Sequence, residues 1–175
     1  MRRRWAISLG LLFLLAAGCV HGRVSDGAFV SDDYGFSVSL PGAPYERIAP
    51  KDALAALTDP DTGVSFAVAV SPDPYRDMAD QDKVLDYLAR DLLFFLTKKE
   101  YRAFEDATLG GAPAKFITVT GVTDDTELIV SAYVARYDGA VYDILMWCPP
   151  AYFETGRPAF QKMVETFRFQ RETGQ

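Results

Sequence analysis

Apolar and polar residues alternate from Tyr34 to Leu40, with Phe36, Val38 and Leu40 on one face and serines on the other. That period of two predicts a half-buried strand, which Pro41-Gly42 stops. A second alternation puts Val64, Phe66, Val68 and Val70 on one face and Ser65, Ala67 and Ala69 on the other. It pairs as a hairpin with 53–58 around Asp59-Pro60-Asp61-Thr62-Gly63, and its small face would let a helix or loop approach closely. From 80 to 97 the period changes to that of a helix: Val84, Leu85, Leu88, Leu92, Phe95 and Leu96 form one stripe. Asp80 and Asp82 suit its N-terminus, Lys98 and Lys99 its C-terminus. Phe94 is the outlier, falling beside Lys83 and Arg90 on the polar side.

Beyond the helix, 101–109 and the turn Gly110-Gly111-Ala112-Pro113 lead to a hairpin of 114–120 and 127–137 across Thr123-Asp124-Asp125. Asp138-Gly139 is a tight-turn pair opening a strand over 140–148, which Pro149-Pro150 breaks. Pro158 suits the first turn of a short helix to about Thr166, with Phe160, Met163 and Val164 inward. Phe167-Arg168-Phe169 reads as a last short strand. No internal repeat or second domain is visible.

The N-terminus follows another logic. Arg2-Arg3-Arg4 precede an apolar run from Trp5 to Ala17, shorter than the roughly 20 residues a bilayer span requires. It fits the basic and apolar regions of a secretory signal. The end, Leu15-Ala16-Ala17-Gly18-Cys19, resembles the lipobox of bacterial lipoproteins. That resemblance implies cleavage before Cys19 and acyl chains, palmitate among them, on it. Each buried methylene contributes roughly 0.8 kcal/mol, so two or three chains hold firmly. The expected organisation is a signal peptide at 1–18, lipidated Cys19 and a flexible tether to 30, one domain over 31–170, and a polar tail at 171–175. Val20, where Asp would favour inner-membrane retention, points to the outer membrane, with the domain facing the periplasm.

Charge and chemistry then narrow the function. The full chain carries 18 basic and 24 acidic residues; losing three arginines with the signal leaves the remainder more acidic still. Such a chain is a poor ligand for nucleic acid or anionic headgroups. Cys19, once lipidated, leaves Cys148 with no intramolecular partner, and Cys148 lies on a strand face with Tyr142, Ile144 and Met146 as a core thiol. The single histidine, His21, is in the tether. The domain therefore lacks Ser-His-Asp and Cys-His nucleophilic sites and His-ligated zinc. No GxSxG, HExxH, CxxC, P-loop or GxGxxG pattern occurs. The expectation is no catalytic residue, no metal and no cofactor.

The stretches YGFSVSLP at 34–41, DPDTGVSFAVAV at 59–70, GGAPAKF at 110–116, DGAVYDILMWC at 138–148 and FQKMVETFRF at 160–169 resemble the PsbP-like fold. That fold is named for the extrinsic photosystem II protein and shared with the Ran-binding Mog import factor and small bacterial lipoproteins. The resemblance covers about 30–170 and implies an α+β domain: a largely antiparallel central sheet flanked by helices, an α/β/α sandwich. It also implies binding or assembly work rather than enzymology, and transfers no site residue.

Asp59 and Asp61 alternate as calcium ligands do, but Gly63 takes the next ligand position and Val70 the place of the closing Glu; a turn is expected. Asp124, Asp125 and Glu127 read as a solvated hairpin tip, and Asp73, Asp77, Asp80 and Asp82 as helix-start charges. Residues 92–96 (LLFFL) are more apolar than one buried face needs. Either sheet and loops cover both sides of this helix, or Phe94, with Leu93, is an exposed anchor for a partner; Trp147 and Tyr152 are candidates for a pocket mouth. The expected function is a lipid-anchored, non-enzymatic envelope protein that binds a partner protein in assembly or maintenance of an envelope complex. The alternative is a carrier of a small amphiphile or lipid in a cavity between sheet and long helix.

Overall fold

The computed structural model describes residues 22–49 and 53–170. Strands β1 (Arg23–Ser25), β2 (Ala28–Ser31), β3 (Phe36–Ser39), β4 (Glu46–Ile48), β5 (Ala55–Thr58) and β6 (Ser65–Pro72) precede helix α1 (Gln81–Asp91). Then come β7 (Thr97–Leu109), β8 (Ala112–Thr123), β9 (Thr126–Tyr137) and β10 (Ala140–Cys148). A 3-10 turn at Pro150–Tyr152 leads into helix α2 (Phe153–Thr166) and β11 (Arg168–Phe169).

Two antiparallel sheets result, one in the order β4-β5-β6-β10-β9-β8-β7, the other β1-β2-β3-β11. Each long hairpin closes on a two-residue turn with both residues at positive φ: Gly110-Gly111, Asp124-Asp125 and Asp138-Gly139. That geometry matches the strand twist, and Gly and Asp adopt it at least cost. The alternation of β10 splits the core. Tyr142, Ile144, Met146 and Cys148 face the small sheet and α2, where Phe36, Phe66, Phe160 and Phe167 fill the space. Val141, Leu145 and Trp147 face α1, with Leu93, Leu96, Ile117, Val130 and Val134. This is the expected α+β architecture, with α1 on one face of the long sheet and α2 plus the small sheet on the other.

Three expectations need correction. Residues 23–30, expected as tether, are folded: β1 and β2 form a hairpin on β3, and Phe29 is buried against Phe36. The polar composition hid one deeply seated ring. Helix α1 stops at Asp91 rather than 97. The next turn is tightened by bonds from the Leu93 and Phe94 amides to Arg90 and Asp91 carbonyls three residues back, which shifts the helical phase. Lys98 and Lys99 accordingly begin an edge strand. Finally, α2 begins at Phe153 and holds Pro158 in its interior, although proline normally disrupts that position. Packing compensates. Gly156 lies so close to β10 that a Cβ there would meet Val64 Cγ1 at 2.6 Å and Met146 Sδ at 2.9 Å.

Cys19, His21, the signal at 1–18 and the tail at 171–175 lie outside the described residues.

Candidate functional site

The turn between α1 and β7 separates neighbouring residues sharply. Leu93, proposed with Phe94 as a surface anchor, is fully buried, whereas Phe94 is 78% exposed. Phe95, assigned to the inward stripe, is 41% exposed. The cause is the tightened turn, which swings Leu93 onto the sheet and leaves two rings outside. They meet edge to face at 6.2 Å. Leu96 then packs on Gly121, where a Cβ would lie 3.0 Å from Leu96 Cβ. The Thr97 hydroxyl donates to the Val122 carbonyl at 3.0 Å. Rings and hairpin tip therefore share one end of the long sheet. Beside them the Arg90 guanidinium lies 4.3 Å from the Phe104 ring centre and 5.4 Å from that of Tyr101, stiffening the base of the tip.

Trp147 is half-buried against the α1-side core, and Tyr152 is exposed in the 3-10 turn. Two grooves lie at the opposite end of the sheet from the ring pair. One, of about 850 Å³, is lined by Asp32, Tyr34, Tyr137, Asp138 and Tyr142. Another, of about 480 Å³, is lined by Gly110, Gly111, Arg136, Tyr137 and Phe169. The layer between sheet and α1, where a carrier would need its cavity, is filled by Leu93, Leu96, Ile117, Val119 and Val134.

The acidic clusters resolve into turns and pairs. The Asp59 carboxylate accepts from Thr62 Oγ1 at 2.6 Å and from the Asp61 amide at 3.0 Å. The Thr62 bond holds its pKa below the usual range despite burial. Asp80 caps α1 by accepting from the Lys83 amide at 3.2 Å. Asp73 is not a helix-start charge: buried, it accepts from Arg136 Nε at 2.7 Å, while Arg136 Nη2 donates to the Tyr75 carbonyl at 2.6 Å. Sequence reasoning had no signal for partners 63 residues apart. Among the described residues, no group of three or more His, Cys, Asp or Glu is placed to hold a metal ion.

A buried lysine and a half-buried aspartate also escaped the sequence. Lys115 spans Asp86 of α1 at 2.6 Å and Asp106 of β7 at 2.5 Å. Burial pulls its pKa down, but the bonds it donates to Asp106 and Asp86 outweigh this and leave it raised. Asp143, in mid-β10 between Ala69 and Val134, has one carboxylate oxygen shut from solvent with no hydrogen-bond partner. Burial raises its pKa to about 7. Burial also pushes the Cys148 thiol up to about 11, so it is a core hydrophobe and not a nucleophile.

No protein-family model and no curated protein matches the sequence. Solved structures do. LpqN of Mycobacterium tuberculosis, described as involved in cell envelope biogenesis, aligns at 16% identity over 77% of this chain and 83% of its own, with a TM-score of 0.59. The cyanobacterial PsbP of Synechocystis aligns at 12% identity over 88% and 95%, also with a TM-score of 0.59. The Saccharomyces cerevisiae Ran-binding protein Mog1p aligns at 15% identity over 77% and 90%, with a TM-score of 0.57. The chain has the PsbP/Mog-like fold. At such identities the likeness concerns the fold alone, and function lies in what each PsbP/Mog-like domain displays. Among the described residues of this one, the most exposed large apolar side chain is Phe94.

Proposed function

We propose that this protein is a non-enzymatic, lipid-anchored envelope protein whose PsbP/Mog-like domain binds another protein in assembly or maintenance of an envelope complex. The observation that carries the reading is the pair Phe94 and Phe95, two phenyl rings held out on a tightened turn. Two adjacent exposed rings form a small apolar patch, and interfaces concentrate their energy in aromatic anchors. Two neighbours of the same fold lend support: LpqN, involved in cell envelope biogenesis, and Mog1p, which binds Ran. The lipid anchor rests on the Leu15–Cys19 pattern.

Crosslinking of the tagged, lipidated protein in its native membrane, followed by mass spectrometry, tests this. A small reproducible set of envelope proteins should appear and vanish in Phe94→Asp. That variant should melt like the parent, because an exposed side chain changes stability by no more than about 0.5 kcal/mol. A stoichiometric bound lipid with no protein partner would shift the case to the carrier reading.

A further inference from the structure

The chain enters the domain at the end of the sheet opposite the rings. Gly22 lies against the Phe29 ring, and Arg23, the first residue of β1, pairs through Nη1 with Asp32 Oδ2 at 2.5 Å. Asp32 shares a groove with Asp138 and Gly139, the turn joining β9 to β10. The rings sit at the level of Gly121, which pairs with Leu128. From Leu128 to Tyr137 the chain of β9 rises about 30 Å at roughly 3.3 Å per residue. Only Val20, His21 and Gly22 separate Cys19 from β1, and three residues reach at most about 10 Å.

Charge adds a second constraint. Lys98, Lys99 and Arg102, the basic residues beside the rings, are answered by Glu100 in the same strand and by Asp124 and Asp125 at the adjoining hairpin tip. Arg90 is accompanied by Asp91. The tip has no basic excess with which to seek anionic headgroups, whose attraction rises with each added Lys or Arg.

We propose that the Cys19 anchor stands the domain on its Asp138-Gly139 end, so that Phe94 and Phe95 project away from the membrane and enter an apolar pocket on a partner protein, not a bilayer. The inference rests on the lipid-anchored, partner-binding reading above and adds orientation and partner chemistry to it. Recognition is by ring burial; its affinity is nearly independent of salt.

The test has two arms, both on the full lipidated chain. In vesicles of phosphatidylethanolamine and phosphatidylglycerol carrying nitroxide headgroups, a fluorophore on Asp77→Cys, in the loop before α1, should be strongly quenched, and one on Lys99→Cys should not. Equal quenching, or the reverse order, overturns the orientation. In the native membrane, a benzophenone amino acid replacing Phe95 should join one defined protein segment, while the same group replacing Val24 of β1 should not reach it. A synthetic peptide of that segment should bind the lipidated chain with less than twofold change between 50 and 300 mM salt, and at least tenfold more weakly to Phe94→Asp. Lys99→Glu should leave its affinity within twofold. Lipid adducts at Phe95, or a steep salt dependence, overturn the proposed pocket. A partner joined only through another surface sinks this inference and leaves the proposed function standing; no protein joined from either position sinks both.

Discussion

Asp143 interrupts an apolar strand in which it pairs with Ala69 and Val134, and one of its oxygens is buried without a partner. Burial holds its pKa at about 7, against about 3.9 in an unfolded chain. Below pH 4 both states keep the proton. Between about 4 and 7 only the unfolded chain releases it, so stability falls as pH rises through that window and levels off above it. Asp143→Val should remove this slope and gain roughly 1 kcal/mol at pH 8, since a half-buried carboxylate with one oxygen shut away unpartnered is replaced by a β-branched side chain. Urea titrations at pH 4.5 and 8 read both effects; parallel pH curves for parent and variant would rule the account out. The Arg136–Asp73 pair behaves oppositely. Both side chains are buried, so Arg136→Met leaves a carboxylate stranded and should cost about 3–5 kcal/mol.

At the scale of elements, α2 is the informative case. Its inner face is spaced by Gly156, which allows the helix to rest on Val64 and Met146. Gly156→Val should lift the helix and destabilise by about 1–3 kcal/mol, an overpacking cost visible as a lower thermal midpoint. Pro158 lacks the amide that would bond to the Glu154 carbonyl, so Pro158→Ala should stabilise the domain; an unchanged or lower midpoint would mean that the ring itself supports the packing. The start of this helix was misplaced at Pro158 because proline favours a first turn, while its true start depends on Phe153 packing against the core. The end of α1 was misplaced for a related reason. The apolar run Leu92–Leu96 satisfies helical spacing, but the long-range pairing of Thr97 with Val122 begins a strand there instead.

Across the described residues, one core layer lies on each face of the long sheet, and chain entry and ring pair occupy opposite ends of it. If Cys19 carries the lipid, cells grown on labelled palmitate should label the parent and not Cys19→Ser. Label in neither would mean that the apolar run Trp5–Ala17 itself is the anchor.

What was legible without coordinates is what adjacent residues dictate. Period-two alternation marked β3, β6 and β10, the pairs Gly110-Gly111 and Asp138-Gly139 marked turns, and a single histidine before the domain removed whole classes of chemistry. Phe94 stood out as a ring off the apolar stripe, but whether sheet and loops cover it was open until the tertiary structure left it exposed. Partners distant in the chain decided the rest: the burial of Leu93, the pairing of Asp73 with Arg136, the seating of Phe29 in a segment read as tether, and the isolation of Asp143 in an apolar sheet. Turn and strand propensities act over a few residues. Burial and charge pairing act through space, and only the closed fold brings those residues together.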